Sequence, residues 1–314
     1  MNDLSVNFIM PDLATLRVQN VSAIALGMEA ERRGYKICHT CENDITYKEG
    51  KVIARVRDAS QIKPEQGRAA VLSDYYDMNL NEVDINLLRI SFNYDLKFVT
   101  ALGLLELIQD QTLIVDKPSN LRHCAGKLFL NYFQDVMAPT LISSDINQIL
   151  RFREEYKDII VKPLFGYGGE GIFHIKPSSD NLNSLLGMFD NLYHEPIMIQ
   201  RYLPDVKGGD KRVLLIDGEP VGAILRTAPK DNVRTNVSSG GSMKLSELTK
   251  SDLRICEAVK PIVKKLGLVL VGLDVIGDYL IEINVGNVGG LIEYDMLGGG
   301  NLASTFWDAV EKRL

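Results

Sequence analysis

The apolar positions in the first third of the chain switch back and forth between two periods. SVNFIM (residues 5–10) and the run at 35–40 are short and strand-like, whereas residues 19–33 carry apolar side chains at helical spacing until Gly34 ends them. A polar hairpin centred on Glu49-Gly50 leads into a strand at 51–57, and the polar stretch from there to Asn81 has no clear period. INLLRI (85–90) reads as a strand ending in Arg89 and Ile90, residues 95–109 as an amphipathic helix, and TLIVD (112–116) as a return to strand. Alternation of this kind predicts an α/β fold with a parallel sheet covered by helices on both faces.

A new unit begins near Pro118. Ser119 can cap a helix running through NLRHCAGKLFLNYF, which carries Lys127. Strands at 139–142 and 158–164 flank a helix at 145–156, and the glycine-rich loop FGYGGEGIFHI leads from the second strand into another. A helix at 181–191, a strand at 197–203 and a hairpin at 212–226 turning on Asp217-Gly218 follow. Residues 227–243 are polar and glycine-rich, the composition of a mobile loop. A helix at 249–266 precedes one more hairpin, and a helix at 301–314 closes the pattern, with no internal repeat.

That hairpin, LVLVGLDVIGDYLIEINV (268–285), has β-branched apolar runs on either side of Gly277-Asp278. Asp274, Glu282 and Asn284 interrupt them. Glu282 and Asn284 stand two apart and share a face. Asp274 joins that face if the turn holds an odd number of residues; with Gly277, Asp278 and Tyr279 as the loop, it lies across from Glu282. Two carboxylates and an amide oxygen at one end of a strand pair suit magnesium whose other ligands are a nucleotide's phosphates. The alternative is an ordinary hairpin with solvated acids, although an unpaired charge in an apolar frame is costly.

Lys162 closes a buried-looking strand just before Gly166, Gly168 and Gly169. Glycines let backbone N–H groups approach an anion, and a lysine at the strand end adds a compact cation, so phosphate binding is expected. The loop has neither P-loop nor Rossmann spacing, because a strand follows it. Lys127 supplies a second cation, while Arg201, Lys211, Arg212, Arg226 and Arg234 add donors suited to carboxylate and phosphate forks. A nucleotide, magnesium ligands and carboxylate-reading arginines together describe phosphorylation of a carboxylate.

Composition narrows the setting. With 314 residues, 46% apolar and 24% charged, the chain has room for two or three lobes. A formal charge of −6 speaks against nonspecific nucleic-acid binding, which needs a basic face. Without an apolar run of membrane length or a basic, cleavable N-terminus, the expectation is a cytoplasmic protein without membrane contact. Cys38 and Cys41 form a C-x-x-C with no second ligand pair in sight, so structural thiols are expected there and at Cys124 and Cys256.

Over nearly its whole length the sequence resembles the bacterial glutathione synthetases of the ATP-grasp superfamily. DKPSNLRHCAGKLF, IIVKPLFGYGGEGIF, IQRYLPDVKGGDKRVLLIDGEPVGAILR, RTNVSSGG and VGLDVIGDYLIEINV carry the resemblance. It implies a pre-ATP-grasp α/β domain at residues 1–117 and an ATP-grasp domain at 118–314, with a central lobe at about 118–203 and a C-terminal lobe at about 204–314. Carried over residue by residue, Lys127 and Lys162 would hold ATP phosphates and the loop Gly166, Tyr167, Gly168 and Gly169 would cover them. Gln200, Arg201, Tyr202 and Leu203 would contact adenine and Asp210 would lie near the ribose. Asp274, Glu282 and Asn284 would bind two Mg²⁺, with Mn²⁺ as a substitute. Arg226 and Arg212 would sit at the transferred phosphoryl group and the acyl substrate, Arg89, Arg234, Asn236 and Gly286 would contact substrate, and residues 227–241 would form a lid. A homo-oligomer acting on a small acid and a small amine is implied as well.

Departures concentrate at the acceptor end. Where the family continues with a hydroxyl residue and proline and then an Arg-Glu pair, this chain reads GNVGGLIEYDMLGGGNLA (286–303), and of the family's Arg-Lys-Asp-Pro-Pro only Arg89 remains. Arg201 stands where asparagine is commoner. An intact ATP and metal apparatus beside rebuilt substrate pockets leaves three readings: a divergent enzyme joining γ-glutamylcysteine to glycine through an acyl phosphate, a sister ligase for another carboxylate and amine, or a non-catalytic ATP-binding regulator.

Overall fold

The structure, a computed structural model, describes residues 4–13, 22–65, 67–90, 94–124, 126–166, 169–227 and 241–314. Its first part comprises β1 (Ser5–Ile9), α1 (Ser22–Arg32), β2 (Lys36–Thr40), β3 (Ile45–Lys48), β4 (Lys51–Ser60), β5 (Val71–Leu72), β6 (Tyr76–Asn79), β7 (Ile85–Leu88), α2 (Leu96–Glu106), β8 (Leu113–Val115) and α3 (Pro118–His123). A four-stranded antiparallel sheet follows from β9 (Thr140–Ser143), α4 (Ile146–Tyr156), β10 (Ile159–Pro163), β11 (Phe173–Ile175), α5 (Leu182–Tyr193) and β12 (Ile197–Arg201). The third part holds β13 (Asp210–Ile216), β14 (Glu219–Thr227), β15 (Ser242–Leu245), α6 (Lys250–Lys265), β16 (Leu270–Ile276), β17 (Tyr279–Asn284), α7 (Leu291–Met296) and α8 (Leu302–Glu311).

In the first sheet β2, β1, β7 and β8 run parallel, as the alternation of elements requires. Strand periodicity sends Val6 and Phe8 to one face, where α1 and α8 cover them, and Ile9 and Leu88 join the core beneath α2 on the other. The sheet is larger and more mixed than a purely parallel one. β4 is antiparallel to β2, and it carries β3 and β6 along its first half and β5 at its last two residues. The last two come from the stretch without a period, where exposed tyrosines hide the alternation.

Turn chemistry sets the hairpins. Glu49-Gly50 and Asp217-Gly218 both take positive φ, the arrangement that matches strand twist. Thr249 and Asp252 form a reciprocal capping box on α6, and Asp95 caps α2. The helix expected through 119–133 breaks in two. Pro118, not a cap at Ser119, opens α3, and residues 126–133 form 3₁₀ turns after Gly126 takes a φ of +50°. A side chain at Gly126 would put a Cβ 2.7 Å from the Leu164 carbonyl, so tertiary contact fixes the break.

α8 returns to the first sheet. Trp307 is fully buried and donates from Nε1 to the Leu26 carbonyl at 2.8 Å, while Arg33 pairs with Asp308 and Glu311, both at 2.7 Å. On α7 the Tyr294 ring lies between Gly222 of β14 and Gly299, so close that a Cβ at either glycine would overlap it. No described helix is long and apolar enough to cross a membrane.

Candidate active site

The third sheet, in the order β15, β14, β13, β16, β17, carries a row of charge across one face. Arg212 on β13 pairs in register with Asp274 on β16, and Asp274 with Glu282 on β17; Asp210 is opposite Arg226, and Gly272 opposite Asn284. Asp274 therefore lies across from Glu282 as expected, by a different route. The turn is the two residues Gly277-Asp278, and a bulge at Ile281 supplies the odd residue. Lys211, between Asp210 and Arg212, points to the opposite face and reaches Asp252 at 2.5 Å and the Glu247 carbonyl at 3.1 Å. It leaves the donor set because strand side chains alternate.

Asp274 is buried and densely partnered. Its Oδ1 lies 2.5 Å from Arg212 Nε and 2.9 Å from Arg226 Nη2; its Oδ2 lies 2.9 Å from Arg212 Nη2 and 3.3 Å from Asn284 Nδ2. Burial pushes its pKa up, but the two guanidinium charges outweigh burial and hold it at about 2. Arg212 Nη1 also donates to the Gly289 carbonyl at 3.0 Å, and Arg226 forks onto Asp210, with Nε 3.2 Å from Oδ1. Asp210, expected near a ribose, is thus buried in a guanidinium pair.

Beside this row are two buried lysines, one from the 3₁₀ turns at 126–133 and one from the neighbouring sheet. Lys127 donates to the Gly166 carbonyl at 2.6 Å, and Lys162 on β10 to the Ile281 carbonyl at 3.3 Å. Burial and the nearby Lys127 charge push Lys162 down to about 8, against the pull of Glu282 and Asp274. Lys127, Gly166, Glu282, Asn284 and Asn287 share the cleft lining. Asn287 was missed by sequence reasoning, since a single asparagine in a glycine-rich turn carries no signal.

The other expected residues are elsewhere. Gln200 is buried and donates to Thr140 Oγ1 at 2.9 Å, and β12 is paired on both sides as far as Arg201, whose guanidinium lies 5.1 Å from the Tyr279 ring centre. Tyr202 stacks on His174 at 4.0 Å, and Leu203 is buried. Arg89 is enclosed behind the turn that follows β17. It donates to the Gly286 carbonyl, its Nε has no partner among the described residues, and burial pushes it down to about 10 despite nearby Asp116. Gly169 takes a φ of +78°. Tyr167, Gly168, Arg234, Asn236 and most of the expected lid lie outside the described residues.

The donor set suits a hard divalent cation in part. Glu282 lines the cleft and has no hydrogen bond to a described residue, and the Asn284 amide gives its nitrogen to Asp274, leaving its oxygen for another partner. Among the described residues no group of three or more His, Cys, Asp or Glu side chains is placed to hold a metal. Burial pushes Cys38 and Cys41 up to about 12, and both are free thiols.

Comparison with known proteins gives a coherent picture. The family model for the N-terminal domain of prokaryotic glutathione synthetase matches residues 4–122, and that for its ATP-grasp domain matches 126–298. The glutathione synthetase of Mesorhizobium japonicum is 42% identical over 98% of both chains, and that of Brucella melitensis 41% over 99% of both. Among solved structures, the D-cycloserine synthetase DcsG superposes with a TM-score of 0.66 over 96% of this chain and 99% of that one, at 13% identity, which speaks for a shared fold.

Proposed function

Since the chain belongs to the prokaryotic glutathione synthetase family and is an ATP-grasp carbon–nitrogen ligase, we propose that it joins the carboxylate of γ-glutamylcysteine to glycine, with ATP converted to ADP and phosphate. The observation that supports this most is the cleft in which Lys127 lines the wall with Glu282 and Asn284, with the buried Lys162 ammonium in the field of Glu282. Transfer of the γ-phosphoryl group to the substrate carboxylate gives an acyl phosphate, from which the amine displaces phosphate to form the amide. Lys127 and Lys162 hold phosphate oxygens, and Arg212 and Arg226 face the anionic reacting groups, so the chain contributes positioning and charge neutralisation. Glu282 and Asn284, joined by Asp274, hold Mg²⁺, which when bound neutralises the triphosphate.

In this reading two ions bind, with Mn²⁺ as a substitute, Tyr202 and Leu203 offer the adenine contact beside Gln200 and Arg201, and Asp210 turns toward the ribose. Arg89 and Gly286 serve the acyl substrate together with Arg234 and Asn236, and residues 227–241 close over the site. Residues 1–117 form the N-terminal unit and 118–314 the ATP-grasp unit, whose lobes meet near 203. The protein acts in the cytoplasm as a homo-oligomer, without nucleic acid or membrane. A second reading, with another amine acceptor, is favoured by the turn after β17, where carbonyls of Gly286 and Gly289 are spent on Arg89 and Arg212 and Asn287 is the polar side chain reaching the cleft. ADP release with Mg²⁺-ATP and γ-glutamylcysteine, with and without glycine and with a panel of other amines, tests both. Glycine-dependent glutathione formation establishes the first, and turnover only with another amine the second.

A further inference from the structure

A carboxylate offers about four lone-pair directions, and at Asp274 each oxygen already has two nitrogen neighbours. Arg212 takes one direction on each oxygen and is itself held by the Gly289 carbonyl. Glu282, directly across the ladder, has no such partner among the described residues. The cation ligands therefore divide: Glu282 and Asn284 can accept an ion as they stand, whereas Asp274 can do so only by giving up a donor. An ion of charge two placed against the Arg212 fork would also be repelled by it.

We propose that Arg212 is a latch on Asp274: a divalent cation and the Arg212 fork compete for the same carboxylate, and entry of the cation swings the guanidinium off Asp274 toward the anionic end of the cleft. The inference rests on the cation assignment made above and deepens it. One event then does two things. It completes the cation's ligand set, and it frees a planar, five-donor group suited to phosphate and carboxylate oxygens. Arg226 stays anchored through its fork on Asp210. Gly272 gives Arg212 the room to lie across the sheet, since a Cβ there would stand 3.1 Å from Arg212 Cδ.

The test uses the full chain and Mn²⁺ alone, titrated by the electron paramagnetic resonance signal of the free ion. Arg212→Lys keeps the positive charge and loses the fork. Competition predicts that this variant binds Mn²⁺ about tenfold more tightly than the parent chain, the effect of removing one charge-assisted hold; a general charge effect predicts no change. A second measurement needs no variant protein to be active: with [¹⁵N]arginine labelling, the Arg212 Nε–H signal, assigned by its loss in Arg212→Lys, must shift when Mg²⁺ is added. Mn²⁺ binding that depends on Glu282 but is unchanged in Arg212→Lys, with an unmoved Nε–H signal, overturns the latch and leaves the cation site standing. Mn²⁺ binding unaffected by Glu282→Gln overturns both.

Discussion

Asp274 and Glu282 occupy matched positions on adjacent strands, yet one is enclosed by two guanidinium groups while the other has no hydrogen bond to a described residue. The pair thus separates structural from chemical duty within a single cross-strand contact. A carboxylate that the fold does not use for its own hydrogen bonding is the one whose replacement should cost the fold least.

Accordingly, Glu282→Gln should reduce turnover by more than about 100-fold, beyond the loss typical of a merely supporting residue at a metal centre. Its unfolding free energy should stay within about 0.5 kcal/mol of the parent. Steady-state ADP release and urea denaturation on the same preparation decide the matter; near-normal turnover would remove Glu282 from the cation site.

Lys162 gives a pH signature. Its folded pKa of about 8 lies below the ordinary 10.5, so the buried ammonium costs stability at pH below 8, and that cost is relieved as the pH climbs from 8 toward 10.5. The relief amounts to roughly 3 kcal/mol. Nucleotide binding moves the opposite way, weakening as the pH rises through 8 and the cation is lost. Calorimetric ATP affinity from pH 7 to 9.5 should show this step in the parent and lack it in Lys162→Met; a flat parent profile would contradict the phosphate role.

Arg89→Met should destabilise the chain by about 1–3 kcal/mol, because it leaves the Gly286 carbonyl without its donor and removes a nearby positive charge from the buried Asp116. Removing the Asp116 charge in the same chain, as Asn, should restore part of the loss. Additive losses in denaturant melts of the two single variants and the double would show that the two charges are not coupled.

Gly222→Ala should cost about 1–3 kcal/mol, since the new methyl meets the Tyr294 ring at 2.4 Å. In a Tyr294→Ala background the same substitution should cost almost nothing. Thermal melts of the four chains give the comparison.

The sequence made much of this legible where local chemistry decides the outcome. The parallel strands, the Asp217-Gly218 and Gly277-Asp278 turns and the Asp274–Glu282 pairing follow from apolar runs and turn residues. The bulge at Ile281 is a property of the ladder and leaves no mark in the residue pattern, which is why a three-residue loop gave the correct pairing for another reason. β5 and β6 escaped because tyrosines and acids at a sheet edge carry no alternating signal. The break at Gly126 is dictated by Leu164, 38 residues away in sequence. For the site itself, residue types revealed donors and acceptors but not which would be spent on one another, as Arg212 and Arg226 are on Asp274.

The return of α8 to the first sheet has a consequence for how the protein is made. The face of β1 and α1 that Trp307 seals is translated some 281 residues before its cover, a delay of roughly 15–60 s on the ribosome. Throughout that interval Phe8, Ile24 and Leu26 belong to a core that lacks Phe306, Trp307 and Val310, the part of its cover that α8 brings. Biogenesis of this chain therefore depends on whatever shields an unfinished apolar face, and a pause late in translation exposes it longest.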